Sequence, residues 1–295
     1  MKHSLFVTIA LSMLLFVSCS DSASKGVAVP TRQGWHTDLP ELNGDVESVV
    51  HVQYATSLKG GKLEKRCVSR EVYRFNQRGD VVEKLDYLGD DSKLWSRCVY
   101  TYDEEHRMTE EAWFRGNGLL DWNTRYRYDE RGALVEEIRY NSAGVMTGRA
   151  LFAYDDADRK IEEAVYDENN ELQSLILSTY DDKGNLVVDA GYYVDGTIDY
   201  MWKYSYDAEG REVEFVECDI EGHPFRMTAI EYNAEGQIVT EGLIDGSVTS
   251  KSKWVYDYDA KGNVVRMTQT SIVPQPSNSS NCYIAEFDIT YREGE

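Results

Sequence analysis

Tyr204-Ser205-Tyr206-Asp207-Ala208-Glu209-Gly210 decides the fold, because the chain writes the same phrase again and again. Tyr128-Asp129 with Gly132, Tyr180-Asp181 with Gly184, Tyr232-Asn233 with Gly236 and Tyr258-Asp259 with Gly262 are copies of it. The anchoring tyrosines Tyr102, Tyr128, Tyr154, Tyr180, Tyr206, Tyr232 and Tyr258 stand 26 residues apart without an insertion. A fixed period of this length marks an array of equal supersecondary units. A looser copy sits at Phe75-Asn76 with Gly79, and Tyr291 closes the series after a longer interval.

Asp or Asn at the head of a turn accepts a hydrogen bond from the amide two residues on, and Gly takes the positive φ that closes the loop. A second turn falls midway through each unit, as in Tyr140-Asn141 to Gly144 and Cys218-Asp219 to Gly222. The 8 to 10 residues between turns are strand length and too few for a pair of packed helices. Each unit is predicted to be a β-hairpin.

The strand leading into the anchor alternates, with Trp202, Tyr204 and Tyr206 against Lys203 and Ser205, and Trp254, Tyr256 and Tyr258 against Val255 and Asp257. Together with Tyr100 and Tyr126 these residues form an aromatic stripe, expected chiefly as core. After the anchor an adjacent apolar pair breaks the alternation, as in Leu134-Val135-Glu136-Glu137. A bulge or a strand touched from both sides would explain it. The expected fold is all-β, an array of antiparallel β-hairpin repeats forming one long twisted, coiled meander sheet. About sixteen strands at ~4.8 Å would be curled by strand twist. The repeat domain spans 45–292, with regular units at about 76–262. Residues 45–75 and 282–292 are expected to cap the two ends, the latter as a strand with a charged edge.

Residues 1–18 have a charged start, the apolar run Leu5 to Val17 and Ser18 before Cys19, the pattern of a secretory signal. The segment resembles a bacterial lipobox, which implies cleavage before Cys19, lipidation of that thiol and a flexible tether over 19–44. An outer-membrane or cell-surface address follows, with the periplasmic face as the other option. The net charge of -21 excludes a basic face for nucleic acid or anionic lipid. Cys67, Cys98, Cys218 and Cys282 have no CxxC spacing and are expected free and mostly buried.

The YDxxG phrase at even spacing, with the opening Leu42-Asn43-Gly44-Asp45-Val46, resembles the RHS or YD-repeat family and its small lipoproteins. In large members the repeats form a shell around a toxin or part of a surface receptor. No DPxGL-like core motif occurs in the sequence, and no toxin domain is expected.

No catalytic constellation emerges. His36, His51, His106 and His223 are scattered, so no metal site and no cofactor are expected. Glu110-Glu111, Glu136-Glu137 and Glu162-Glu163 recur in phase and predict a carboxylate ladder, read as a solvated face relieved by Arg139, Arg149 and Arg159. Trp95, Trp113, Trp122, Trp202 and Trp254 are the candidate ligand-binding residues, the first three expected to be the more exposed. The function expected is that of a non-enzymatic, membrane-anchored binding or scaffolding module for glycan or a surface protein. An accessory or immunity partner of a toxin system, and a glycan-acting enzyme using the Glu ladder, are the other classes.

Overall fold

The computed structural model of the chain describes residues 39–59, 62–89, 93–245, 248–272 and 282–293. The signal segment, Cys19, His36 and the tether up to residue 38 lie outside the described residues.

The strands follow one another as β1 Val46–Lys59, β2 Lys62–Phe75, β3 Val81–Leu88, β4 Leu94–Tyr102, β5 Met108–Arg115 and β6 Leu120–Tyr128. Next come β7 Leu134–Asn141, β8 Met146–Tyr154, β9 Lys160–Asp167, β10 Leu172–Tyr180, β11 Leu186–Tyr193 and β12 Ile198–Tyr206. The series ends with β13 Glu212–Cys218, β14 Pro224–Tyr232, β15 Ile238–Asp245, β16 Val248–Tyr258, β17 Val264–Ser271 and β18 Cys282–Tyr291. Every strand pairs antiparallel with its sequence neighbours, and β18 pairs with β1 from Val46↔Tyr291 to Ala55↔Tyr283. The hairpin array is therefore a closed 18-stranded barrel and not the open, coiled sheet expected from the sequence.

Closure also corrects the reading of the ends. Residues 45–75 and 282–292 are staves of the wall and not caps, and the supposed charged edge is paired, with Glu286 opposite Val52 and Asp288 opposite Val50. Glu286 also holds Lys65 at 2.5 Å. Arg292 fastens the seam through the carbonyls of Val46 and Phe75.

The adjacent apolar pairs prove to be bulges. Tyr128 opposes Leu134 while Arg127 opposes Glu136, so Val135 is the extra residue. The same shift recurs at Tyr154, Tyr180, Tyr206 and Tyr232. Each bulge adds local twist, and its regular repetition curls the sheet until its ends meet.

The two ends of the barrel differ in construction. At the anchor rim, where even-numbered strands end, tyrosines donate their hydroxyls to carbonyls about 20 residues back, 21 for Tyr102 and 20 for Tyr128, Tyr154, Tyr180, Tyr206 and Tyr232. Tyr102 reaches Val81 at 2.8 Å, Tyr154 reaches Leu134 at 2.9 Å and Tyr180 reaches Lys160 at 2.7 Å. In the last regular unit Tyr256 takes over from Tyr258 and reaches Ile238. Arg107, Arg159 and Arg211 lie over Tyr128, Tyr180 and Tyr232 while holding Asp103, Asp155 and Asp207. The turn chemistry is as the sequence implies: Asp129 Oδ1 accepts the amides of Arg131 and Ala133, and Gly132 has φ 86°. At the opposite, distal rim the turns lack this tyrosine ladder.

Eighteen strands at ~4.8 Å make a wall of roughly 86 Å, or roughly 27 Å between opposing backbones for a circular section before tilt is added. Among the described residues no strand comes within 8 Å, Cα to Cα, of any strand but its paired neighbours. A contiguous core joins Val49, Tyr73, Met267, Ala285 and Phe287 to Leu39, with Leu42 packed against it, so residues 39–42 cover the seam side.

Candidate functional site on the inner wall

Opposed residues in an antiparallel sheet point to the same side, so the register sorts the two faces. One face joins Tyr100, Glu111 and Thr124, then Tyr126, Glu137 and Ala150, then Phe152, Glu163 and Ile176. It continues through Ser178, Asp189 and Trp202, and through Tyr204, Phe215 and Thr228. These side chains are buried or half-buried throughout. The other face includes the exposed Lys203, Ser205, Lys253, Val255 and Asp257. The first is the inner wall.

This sorting splits the predicted carboxylate ladder. Glu111, Glu137 and Glu163 face inward, and the 26-residue step continues to Asp189, is interrupted by Phe215 and resumes at Glu241. Glu110, Glu136 and Glu162 face outward. Glu136 is buried between Arg127 at 2.9 Å and Arg149 at 3.4 Å, so it is an ion-paired strut and not a solvated charge. Arg139 instead lies over the Trp122 ring, and Arg159 serves Asp155.

The wall carries a charged network near the seam and an aromatic stretch away from it. On β1 to β4, His51 Nδ1 meets Glu71 at 3.0 Å, Tyr73 donates to the same carboxylate at 3.0 Å, and Lys84 holds its other oxygen at 2.9 Å. Lys84 also approaches Asp86, and His51 stacks on Phe287 with centroids 4.6 Å apart. Burial pushes the Glu71 carboxyl up, but His51 and Lys84 outweigh it and lower the carboxyl to about 2. Cys98 is fully buried beside this network, and burial raises its thiol to about 12, which leaves no thiolate for nucleophilic work.

From β6 to β12 the inner side chains Tyr126, Glu137, Phe152, Glu163, Ile176, Asp189, Tyr200, Trp202 and Tyr204 are all half-buried. Trp202 lies 4.3 Å from Tyr200 and 5.8 Å from Phe215, centroid to centroid. Gly191 makes room for this cluster, because a Cβ there would stand 2.3 Å from the Tyr200 ring. Burial, then Glu111 and Glu137, raise the Tyr126 hydroxyl; burial, then Asp189 and Glu163, raise that of Tyr200. Both remain neutral donors beside carboxylates at ordinary pH. Burial raises Glu241 as well, with the Trp254 indole acting the other way.

Four of the five candidate tryptophans reach this wall. Trp113 and Trp122 stack on each other at 5.5 Å, Trp202 joins the aromatic cluster, and Trp254 is buried opposite Gln269. Trp113 and Trp122 are half-buried and not exposed, since Trp122 shares the parity of Tyr126. Trp95 points outward at the distal rim and is 63% exposed. Cys67, Cys98 and Cys218 are free and buried, and Cys282 is free and half-buried.

Two features escaped sequence reasoning. The His51–Glu71–Lys84 network draws on irregular strands outside the 26-residue period. Glu212 occupies the bulge position held by the apolar Met108, Leu134, Leu186, Ile238 and Val264 in five other units and by Lys160 in the β8–β9 unit. It is 3% exposed, its Oε1 has no hydrogen-bond partner, and burial lifts its carboxyl to about 7. Only comparison of equivalent positions would have found it. Asp219, Glu221 and His223 also converge within 4.8 Å, but on an exposed distal turn whose own backbone bonds to Asp219 account for the approach.

No family profile and no curated protein matches the chain. Among solved structures, a porin-like protein from Bacteroides uniformis is similar at 10% identity and TM-score 0.44, over 83% of this chain and 98% of that one. The Photorhabdus luminescens Tc holotoxin pore is similar at 15% identity and TM-score 0.35, over 74% of this chain, which spans 12% of that one. A LolA superfamily protein from Nitrosomonas europaea is similar at 8% identity and TM-score 0.21, over 86% of this chain and 89% of that one. No activity or partner is carried over from them.

Proposed function

We propose that this protein is a non-enzymatic, envelope-associated binding protein related to the YD-repeat lipoproteins, taking a carbohydrate ligand against its inner wall. One observation carries the reading: closure lines β6 to β12 with half-buried rings interleaved with carboxylates, namely Tyr126, Phe152, Tyr200, Trp202 and Tyr204 beside Glu137, Glu163 and Asp189. Aromatic faces stack against the apolar face of a sugar, and ionised carboxylates accept hydrogen bonds from its hydroxyls. The 26-residue lattice repeats this pairing across neighbouring hairpins, which suits a chain of sugars better than a single reacting bond.

The outer surface argues against the barrel itself spanning a bilayer. Arg70, Arg97, Arg125, Lys203, Lys253 and Arg266 face outward along the staves. A Lys or Arg on the lipid side costs about 2–4 kcal/mol at the midplane, so attachment through a lipidated Cys19 fits this wall better.

An oligosaccharide array, followed by titration of the best hit with tryptophan emission as the readout, tests the proposal. Saturable binding is expected to weaken at least ~tenfold in Trp202→Ala, about the loss of one stacked ring, and to be unchanged in Trp95→Ala. Failure of the folded protein to bind any array member, or equal binding by Trp202→Ala, overturns it.

A further inference from the structure

Among the described residues, eleven of the sixteen exposed large apolar side chains stand at the distal rim. Trp95, Leu119, Val145, Val194, Ile220 and Ile272 belong to six different turns, and Leu172 and Ile244 supply the other two that follow β3 to β17. Leu119, Val194 and Ile220 are 62%, 64% and 69% exposed. Among the described residues the anchor rim has Tyr258 and Ile161 alone. Exposed apolar groups scattered singly need no explanation, but one at or beside eight of the nine distal connections of a closed ring does.

We infer that the distal rim docks shallowly on an electrically neutral lipid bilayer. The arrangement argues for that occupant. Alternate tips lie ~10 Å apart and are separated by polar turn atoms, so they make no continuous apolar patch for the core of a protein interface. A fluid, laterally extended layer meets all of them at once. Trp95 and Tyr193 are of the types that favour the boundary between headgroups and acyl chains.

Charge selects the lipid. Asp167, Glu168, Glu171, Asp195, Asp219 and Glu221 lie among the tips and outnumber Lys62, Lys93 and Arg115 there, so the rim on balance repels an anionic surface. The chain outside the barrel is compatible with the orientation. The 20 residues from Cys19 to Leu39 reach up to ~66 Å when extended, against ~30 Å for the rise of a nine-residue strand. A lipidated Cys19 can therefore hold the protein to a bilayer lying against the rim farther from Leu39. The inference rests on the envelope reading only for this tethering, and it stands or falls separately from sugar binding.

Quenching of Trp95 by brominated phosphatidylcholine vesicles, measured on the full chain, reads the orientation whatever the N-terminal segment does. Emission quenching is expected to fall at least ~threefold in Trp95→Phe and in the combined Leu119→Ser, Val145→Ser, Val194→Ser and Ile220→Ser variant, as interfacial burial is lost. Replacing part of the neutral lipid by phosphatidylserine is expected to lower it too. Vesicle-bound protein whose Trp95 is unquenched overturns the inference. So does concentration-dependent self-association abolished by the same substitutions, which would make a second copy the occupant, or loss of a co-purifying protein with lipid quenching intact.

Discussion

The two rims of the barrel share Asx-headed turns, yet they use their other side chains differently. Anchor-rim turns send tyrosine hydroxyls to carbonyls of the wall and lay arginines across rings, while their aspartates accept their own turn's amides. Distal turns satisfy their own amides, as Asn141 does for Ala143 and Val145, and leave an apolar tip in solvent. One rim holds the shape and the other is free to serve as a surface.

The sharpest way to break that comparison is Tyr154→Ala, which removes a ring and its bond to Leu134. It is expected to cost about 3 kcal/mol or more, read by urea denaturation, whereas a loss below ~1 kcal/mol would make the anchor rim as dispensable as the distal one.

Next in size is Glu212→Leu. The folded carboxyl titrates near 7 against 4.5 for the ordinary group, so the folded protein binds the extra proton and stability falls as pH rises from about 4.5 to about 7. Restoring the apolar residue of most other units is expected to remove that slope and to stabilise the protein at pH 8 by on the order of 2 kcal/mol. A flat wild-type profile over this window would show that Glu212 is hydrated. Glu71, lowered to about 2 by His51 and Lys84, has the opposite sign: its contribution is present above about 4.5 and lost as pH falls through about 2.

Tyr154→Phe keeps the ring and deletes only the hydroxyl, for about 1 kcal/mol. Smallest of all, Leu119→Ser at the distal rim is expected to change stability by less than ~0.5 kcal/mol. A larger loss would mean that this tip packs against the wall.

Local periodicity made much of the fold legible. The tyrosines at 26-residue steps, the Asp-headed turns and the broken alternation at Leu134-Val135 led to hairpins, tight loops and a bulge, each found in place. Closure was not legible, because Val46 and Tyr291 meet only after twist and stagger have accumulated over every intervening strand, and a repeat does not state how many copies complete a circle. The candidate wall was half legible for the same reason. Parity placed Trp202 and Tyr204 on one face, but whether that face looked into a hollow depended on the seam. The Glu71 network depends on the β1–β2 pairing of His51 with Glu71, which lies outside the repeat register.

The seam has a further consequence. Arg292 donates its backbone amide to the carbonyl of Asp45 at 2.9 Å, so the ends of the wall abut as closely as any two staves. A short linker between them would leave the barrel's pairing intact, and new termini could be opened at a distal turn such as Asn141 to Gly144. Circular permutants of this kind should fold to the same barrel, because every position in a ring has a neighbour on each side.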